Sequence, residues 1–341
     1  MQNRILLSHS ALRAGRGPYD GSDRQSGFTL LELVVGVVIF GIVMGAAFGL
    51  LQIARSGRLN TNQRSEILQN LRIALNTIGR DAINAGVDYP NLGAVLPDNS
   101  LATVFGLTPD ADTDADVLTP VYAIDGKNAV NGVATDHITF VFIDDTFNNG
   151  QSLPIDLISA SGNQLRIGGG FNNSPCNLND IYIITGQNGS ALGMLTRKTG
   201  ADRLDLVDGD PLGINEPSAT SPLAGMQVPA SLQRLAWVTY FVLDEDGAGP
   251  GAGALIRRVY GGSGGWTDQP LAFGVENLQI QYVLMDGAVV DVPGPNQMED
   301  IRQVRVSVGV RSPDIDPRTN RPFQADLTAT FSTRNLYYEK L

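Results

Sequence analysis

The residues of this chain that are best suited to metal chemistry are acidic. Four aspartates alternate along the segment PDADTDADVL: Asp110, Asp112, Asp114 and Asp116. Calcium takes several hard oxygen ligands from a short loop, and this spacing resembles the first half of an EF-hand loop. However, Ala115 stands where that loop needs a glycine, and Val121 stands where it needs a bidentate glutamate. We therefore prefer a solvated acidic loop, keep calcium as the alternative, and expect no other cofactor.

The sequence contains few residues or motifs that would indicate catalysis. The chain has two histidines, His9 and His137, which are too few for a histidine cluster. It contains no GxSxG, Walker or HExxH motif, and its glycine-rich segments do not lead into a phosphate-binding helix. Cys176 is the single cysteine, so an internal disulfide is impossible. We expect a protein that is not an enzyme.

A third chemical candidate is Glu32, the one charged residue in the apolar run GFTLLELVVGVVIFGIVMGAAFGLL at 27–51. As a helix, residues 28–51 would span about 36 Å, which exceeds the roughly 30 Å of a hydrocarbon core. This run predicts a membrane anchor. An acid inside such a segment is costly, which makes Glu32 a candidate site that needs a partner.

The run has two other interpretations. A cleaved secretory signal could use the small residues Ala46 and Ala47, but its apolar region would be shorter and free of acids. An ordinary single-pass anchor that tolerates one glutamate is the second alternative. Arginines flank the run on both sides, so the count of basic residues does not set its orientation.

Helical periodicity continues after the anchor, through residues 52–86. One apolar stripe is formed by residues spaced three and four apart: Leu68, Leu71, Leu75, Ile78 and Ala82. Gly86 is a plausible C-cap, and Pro90 prevents continuation. Within the apolar run, Gly41, Gly45 and Gly49 share one face, and we favour helix packing over local softening as their role.

The rest of the chain, residues 87–341, predicts a β-rich domain with long loops. Short apolar runs lie at 138–143, 181–185 and 235–243, and alternating patterns lie at 278–284, 304–310 and 327–331. Residues 91–135 and 144–230, rich in Gly, Pro, Asn and Asp, read as loops, hairpins and insertions. Several strands after one long helix indicate an α+β fold with an antiparallel sheet.

The segment GFTLLELVVGVVIF resembles the processing segment of type IV prepilins and of the pseudopilins of type II secretion. The resemblance implies a leader at 1–27, cleavage by prepilin peptidase between Gly27 and Phe28, and methylation of the new amine of Phe28. It also implies that Glu32 pairs with the N-terminal amine of a neighbouring subunit. Such a pair would offset part of the cost of two buried charges.

The C-terminal half indicates one group within the prepilin-like proteins. Four segments occur here in an order that resembles the PilW group of minor pilins, which is related to the J-type pseudopilins. They are TYFVLDEDGAGPGAGALIRRVYGG, QPLAFGVENLQIQYVLMDG, IRQVRVSVGVRSPD and LTATFSTRNL. The resemblance implies a pilin-like fold, in which the second half of the N-terminal helix packs on the antiparallel sheet domain.

The implied function is that of a minor pilin which helps to prime a type IV pilus. Its partners would be inner membrane lipid, prepilin peptidase, the pilus assembly platform, and major and minor pilins. Its domain would reside in the periplasm and then on the filament. Alternatives are a pseudopilin or a tip adhesin. The net charge of −11 argues against nucleic acid as a partner.

Overall fold

The structure is a computed structural model that describes residues 28–216, 218, 221–244, 253–261, 265–294, 297, 300–316 and 319–336. The predicted leader, with Gly27, lies outside these residues. The chain divides into two compact units, Met1–Arg58 and Leu59–Leu341, and the division falls within one long helix.

That helix, α1, spans Leu30–Asn84. In the first unit it contains the segment Leu30–Arg55, which has a mean hydropathy of 2.6 and no buried residue. Its length and composition are sufficient to cross a membrane. The predicted span of 28–51 therefore falls on this apolar segment of α1. The segment ends at Arg55, four residues later than expected.

In the second unit, one face of α1 is buried against the sheets. Leu71, Leu75, Ile78 and Ala82 are buried and Leu68 is half-buried, so the predicted stripe is confirmed. The helix ends at Asn84, and Gly86 follows in the left-handed region with φ of 78°. The Gly86 N–H donates to the Val141 carbonyl oxygen at 2.9 Å, which ties the end of the helix to a strand.

The elements of the first half of the domain are short. They are β1 (Ala94–Leu96), α2 (Ser100–Phe105), β2 (Asp116–Leu118), β3 (Val121–Val130), β4 (Val133–Ile143), β5 (Leu153–Ile158), β6 (Gln164–Ile167), β7 (Ile181–Gly186), β8 (Gly189–Met194), β9 (Arg197–Thr199) and β10 (Arg203–Asp205). A 3₁₀ turn covers Phe147–Gly150.

Longer strands dominate the second half. They are β11 (Ala230–Asp244), β12 (Gly253–Gly261), β13 (Gly265–Phe273), β14 (Val275–Leu284), β15 (Val289–Val290), β16 (Ile301–Asp316) and β17 (Arg321–Ser332), followed by a 3₁₀ turn at Arg334–Leu336. Each sequence run predicted as a strand lies within one of β4, β7, β11, β14, β16 and β17.

Two sheets result, and β11 is the central strand of the larger one. Strands β1 to β13 form that sheet, and the order β15-β14-β16-β17 forms the other. The first part of β11 pairs with β5 and β7, and its later part pairs with β4 and β12. The pairing is antiparallel as predicted, except that β1 runs parallel to β8 through Val95 and Ala191.

The two sheets are joined by a buried carboxylate. Asp136 of β4 accepts a hydrogen bond from the Gly126 N–H at 2.9 Å and another from the Ile280 N–H of β14 at 2.8 Å. Burial raises the pKa of Asp136 above its ordinary value, although both hydrogen bonds oppose that shift. One side chain thus accepts a hydrogen bond from a backbone N–H in a bulged segment of β3 and another from a backbone N–H in a strand of the second sheet.

The expectation that residues 91–135 and 144–230 are loops, hairpins and insertions was only partly right. The first segment contains β1, α2, β2 and β3. The second forms the short strands β5 to β10 and buries a core of its own around Leu153, Ile155 and Tyr182. Asn148, Asn149 and Asn179 adopt positive φ in the intervening turns. Turn-forming residues are frequent here because the strands are short. Their frequency makes the short apolar strands between them hard to recognise in the sequence.

A buried ionic cluster fixes α1 to the larger sheet. Asp81, which is 3% exposed, accepts hydrogen bonds from the Tyr240 hydroxyl at 2.6 Å and from Arg257 Nε at 2.8 Å. Burial would lower the pKa of Arg257, but the hydrogen bond and charge of Asp81 outweigh it and raise that pKa. The three side chains supply hydrogen bonds to one another, and the charges of Asp81 and Arg257 pair, at a place where water has little access.

We expect Asp81→Ala to lower the free energy of unfolding by about 3–5 kcal/mol, because it leaves the guanidinium of Arg257 largely buried without its carboxylate. Chemical denaturation of the full chain measures this change. Asp145→Ala is the matched control, since Asp145 is exposed, and should change stability by less than about 0.5 kcal/mol. Equal small effects of both variants would contradict a structural role for the cluster.

Candidate functional site

The first described residues build a hydrogen-bonded start for α1. Phe28 and Thr29 precede the helix, and the Phe28 side chain is 85% exposed. The Thr29 N–H donates to Glu32 Oε2 at 3.0 Å, and the Thr29 hydroxyl donates to the same oxygen at 2.9 Å. In return, the Glu32 N–H donates to Thr29 Oγ1 at 3.2 Å. This reciprocal pattern is a capping box.

The capping box gives Glu32 a local role that the sequence reasoning missed. Its signal was present, because Thr29 and Glu32 have the spacing of Thr-x-x-Glu directly before an apolar run. Both hydrogen bonds from Thr29 reach Oε2, so Oε1 takes no part in the box. Glu32 can therefore start the helix and still offer an oxygen to a cation outside the chain.

The three glycines of the apolar segment present open backbone. A Cβ atom added at Gly41, Gly45 or Gly49 would meet no atom of the described residues within 4 Å. Packing against the described part of the chain therefore requires none of the three glycines. Their role in packing against other helices stays a prediction.

The acidic loop brings together a set of aspartates that differs from the predicted one. Carboxylate oxygens of Asp98, Asp110 and Asp112 lie within 4.8 Å of one another. Asp110 and Asp112 are exposed, whereas Asp98 is half-buried and its Oδ1 is shielded from solvent. The Asp114 N–H donates to Asp112 Oδ1 at 3.0 Å, which closes a local turn. Asp98 was missed because it lies twelve residues before Asp110 in the sequence.

Asp116, the fourth predicted ligand, has a structural partner instead. Its Oδ2 accepts a hydrogen bond from the Leu101 N–H at 2.7 Å, in the first turn of α2. Burial raises the pKa of Asp116, and the negative charges of Asp110 and Asp98 raise it further. The hydrogen bond from Leu101 opposes this shift. Asp116 therefore couples the acidic loop to α2.

Burial shifts the pKa of two further titratable groups, Cys176 and His137. Cys176 is buried, and burial raises the pKa of its thiol to about 11, which disfavours the reactive thiolate. Burial lowers the pKa of His137 to about 4, with further lowering from the charges of Lys127 and Arg258. The imidazole is therefore neutral near pH 7, and it packs against the Phe241 ring at 5.1 Å between centroids.

Comparison with known proteins identifies the amino-terminal segment. The family described as "Prokaryotic N-terminal methylation motif" matches residues 22–48, which include Phe28, Thr29 and Glu32. No curated protein and no solved structure matches the chain. The motif is a type IV prepilin-like signal and supports a type IV pilin-like protein. Together with the one apolar helix found in the described part of the chain, it fits an inner-membrane-anchored protein.

We expect millimolar calcium to leave the melting temperature of the protein nearly unchanged. Three carboxylates would leave much of the six- to eightfold coordination of calcium to water, and only a ligand that binds the folded state stabilises it. Thermal unfolding with calcium and with magnesium tests this expectation. A calcium-specific rise of several degrees that Asp110→Asn with Asp112→Asn abolishes, and Asp145→Asn does not, would establish a calcium site.

Proposed function

We propose that this chain is a prepilin that is cut after Gly27, methylated at Phe28 and incorporated into a type IV pilus as a minor subunit that helps to prime assembly. The observation that carries the proposal is the methylation motif at residues 22–48, which overlaps the uncovered apolar helix Leu30–Arg55. Such a motif implies processing by prepilin peptidase and assembly with other pilins.

The minor-pilin part of the proposal rests on the order of the segments in residues 235–338. These segments correspond to the antiparallel strands β11 to β17. In this proposal the apolar helix stays in the inner membrane and the sheet domain lies in the periplasm before assembly. The chain acts as a structural component and performs no reaction. An assembly platform and neighbouring pilins then move it into the filament.

The pairing part of the proposal concerns Glu32. After cleavage, Phe28 would carry a methylated ammonium directly before the capping box. The free Oε1 of Glu32 would accept a hydrogen bond from the ammonium of a neighbouring subunit, while Oε2 keeps the box with Thr29. Charge pairing in an apolar surrounding selects one register between helices, because any other register leaves two charges unpaired.

Processing is tested by intact-mass analysis of the protein purified from membranes. We expect loss of residues 1–27 and one added methyl group on Phe28. Gly27→Leu should block cleavage, because a peptidase needs close approach to the backbone and a bulky side chain obstructs it. Gly27→Ala is the matched variant with a single methyl, and it should retain more cleavage than Gly27→Leu. A mature N-terminus after Ala47, or an uncleaved wild-type chain, would contradict the prepilin assignment.

The role of Glu32 is tested by three variants that separate charge from helix capping. Glu32→Gln preserves the capping box but removes the charge, Glu32→Ala removes both, and Thr29→Ala weakens the cap but keeps the carboxylate. We expect both Glu32 variants to reduce incorporation into sheared filaments by more than about tenfold, because each leaves a neighbour's ammonium unpaired in an apolar core.

Immunoblots that compare the filament fraction with the membrane fraction measure this effect. Membrane retention should be unchanged or better in both Glu32 variants, since removing an acid lowers the cost of inserting the helix. Thr29→Ala should assemble nearly as wild type. Should Glu32→Gln also assemble as wild type, Glu32 would act as a cap and not as a charge partner.

A further inference from the structure

An open cleft lies beside the end of α1, in the second unit. Its volume is about 560 Å³, which is within the range of roughly 300–1,000 Å³ that small-molecule sites occupy. One wall is the chain that follows α1, residues 86–91, and the floor is formed by β7, β8 and β11. Asn335 of the C-terminal 3₁₀ turn closes one side.

The floor of the cleft carries a row of hydroxyl groups. Ser190 of β8 lies opposite Thr185 of β7, and Thr185 lies opposite Ser231 of β11. The Thr185 and Ser190 hydroxyl oxygens are 3.0 Å apart and share a hydrogen bond. Gln233 is two residues beyond Ser231 on β11, so its side chain is on the same face of the sheet. Three neighbouring strands thus present uncharged donors and acceptors side by side.

The walls add two amides. Asn91 is 9% exposed, lines the cleft, and makes no hydrogen bond with the described residues through its side chain. Asn335 Nδ2 donates to the carbonyl oxygens of Ile83 at 2.8 Å and Ala85 at 3.2 Å, which caps the end of α1. Its Oδ1 takes no part in that cap. The amide atoms of Asn91 are not shielded from solvent, so this side chain offers the cleft a donor and an acceptor that no described residue uses.

The charge of the cleft restricts the class of ligand. Among the described residues that line the cleft, Asp88 is the one acidic side chain and none is a lysine or an arginine. The chain as a whole carries a net charge of −11. A phosphate or carboxylate would therefore lack a cation to bind and would be repelled. Val87 and Pro90 supply apolar surface next to the polar groups.

We propose that this cleft binds a neutral saccharide. Sugar hydroxyls both donate and accept hydrogen bonds, which matches a lining of hydroxyl and amide groups, and the ring C–H faces can pack on Val87 and Pro90. An extended peptide fits less well, since it would pair with an open strand edge. Here the polar groups project from the face of the sheet, and the strands that carry them already pair with one another along their edges. The proposal does not depend on prepilin processing.

Saturation-transfer NMR on the full chain tests the proposal, in a detergent without a sugar head group so that no detergent competes. The probes are galactose, N-acetylglucosamine, lactose and chitobiose as neutral saccharides, sialyllactose as an anionic one, and a neutral glycine–serine peptide. We expect saturation transfer to at least one neutral saccharide, weaker transfer to sialyllactose than to lactose, and none to the peptide.

Two variants locate the binding. Ser231→Ala with Gln233→Ala should weaken the affinity for that saccharide about ten- to thirtyfold, as expected for two lost hydrogen bonds. The matched control is Gln324→Ala with Ser332→Ala, which removes the same side chains from exposed positions on β17. Thr185→Ala, at an exposed position, should weaken binding about fivefold and serves if the double variant does not fold.

Three outcomes would overturn the proposal. The first is that none of the neutral saccharides binds at millimolar concentration. The second is that binding is unchanged in the cleft variants, or weakens as much in the β17 control. The third is that the peptide binds in place of a saccharide.

Discussion

The contact of Asp81 with Tyr240 and Arg257 determines how the second half of α1 is held. Apolar burial of one helix face supplies most of the stabilisation, but it is non-directional and would tolerate small rotations or shifts of the helix. A buried carboxylate that must meet one hydroxyl and one guanidinium tolerates far less, since a shift leaves charges unpaired away from water. The end of α1, and with it the cleft that begins at Gly86, follows from this alignment.

The first part of α1 has the opposite character, since none of the described residues covers it. The segment Leu30–Arg55 exposes every apolar side chain, and water is a poor surrounding for such a surface. A lipid bilayer or the helices of other subunits can cover it. Glu32 is tolerable there because its carboxylate already serves the helix start, where backbone N–H groups lack partners within the helix. The proposed charge pairing would use the other oxygen of the same group, so the two roles would not compete.

The strand β11 explains how one domain contains several cores. Its residues alternate between the two faces of the sheet, so Trp237 packs in one core while Val238 and Tyr240 pack in the core under α1. Its first residues extend into the part of the sheet that residues 144–230 build, which has a third core. The cleft lies where this added part meets the end of α1. A site formed by elements so distant in sequence depends on the fold as a whole.

The sequence by itself determined the apolar helix, the amphipathic stripe around Leu71 and Ile78, and the long strands, because these features follow from local hydrophobic periodicity. It also contained the methylation motif with Phe28 and Glu32. Only the tertiary structure decided which side chains meet across long separations. It joined Asp81 to Arg257, replaced part of the predicted aspartate set with Asp98, and lined a cleft from three strands and two turns. The physical reason is that periodicity reports which face of an element is buried, whereas specific polar contacts depend on register and on the packing of elements far apart in the chain.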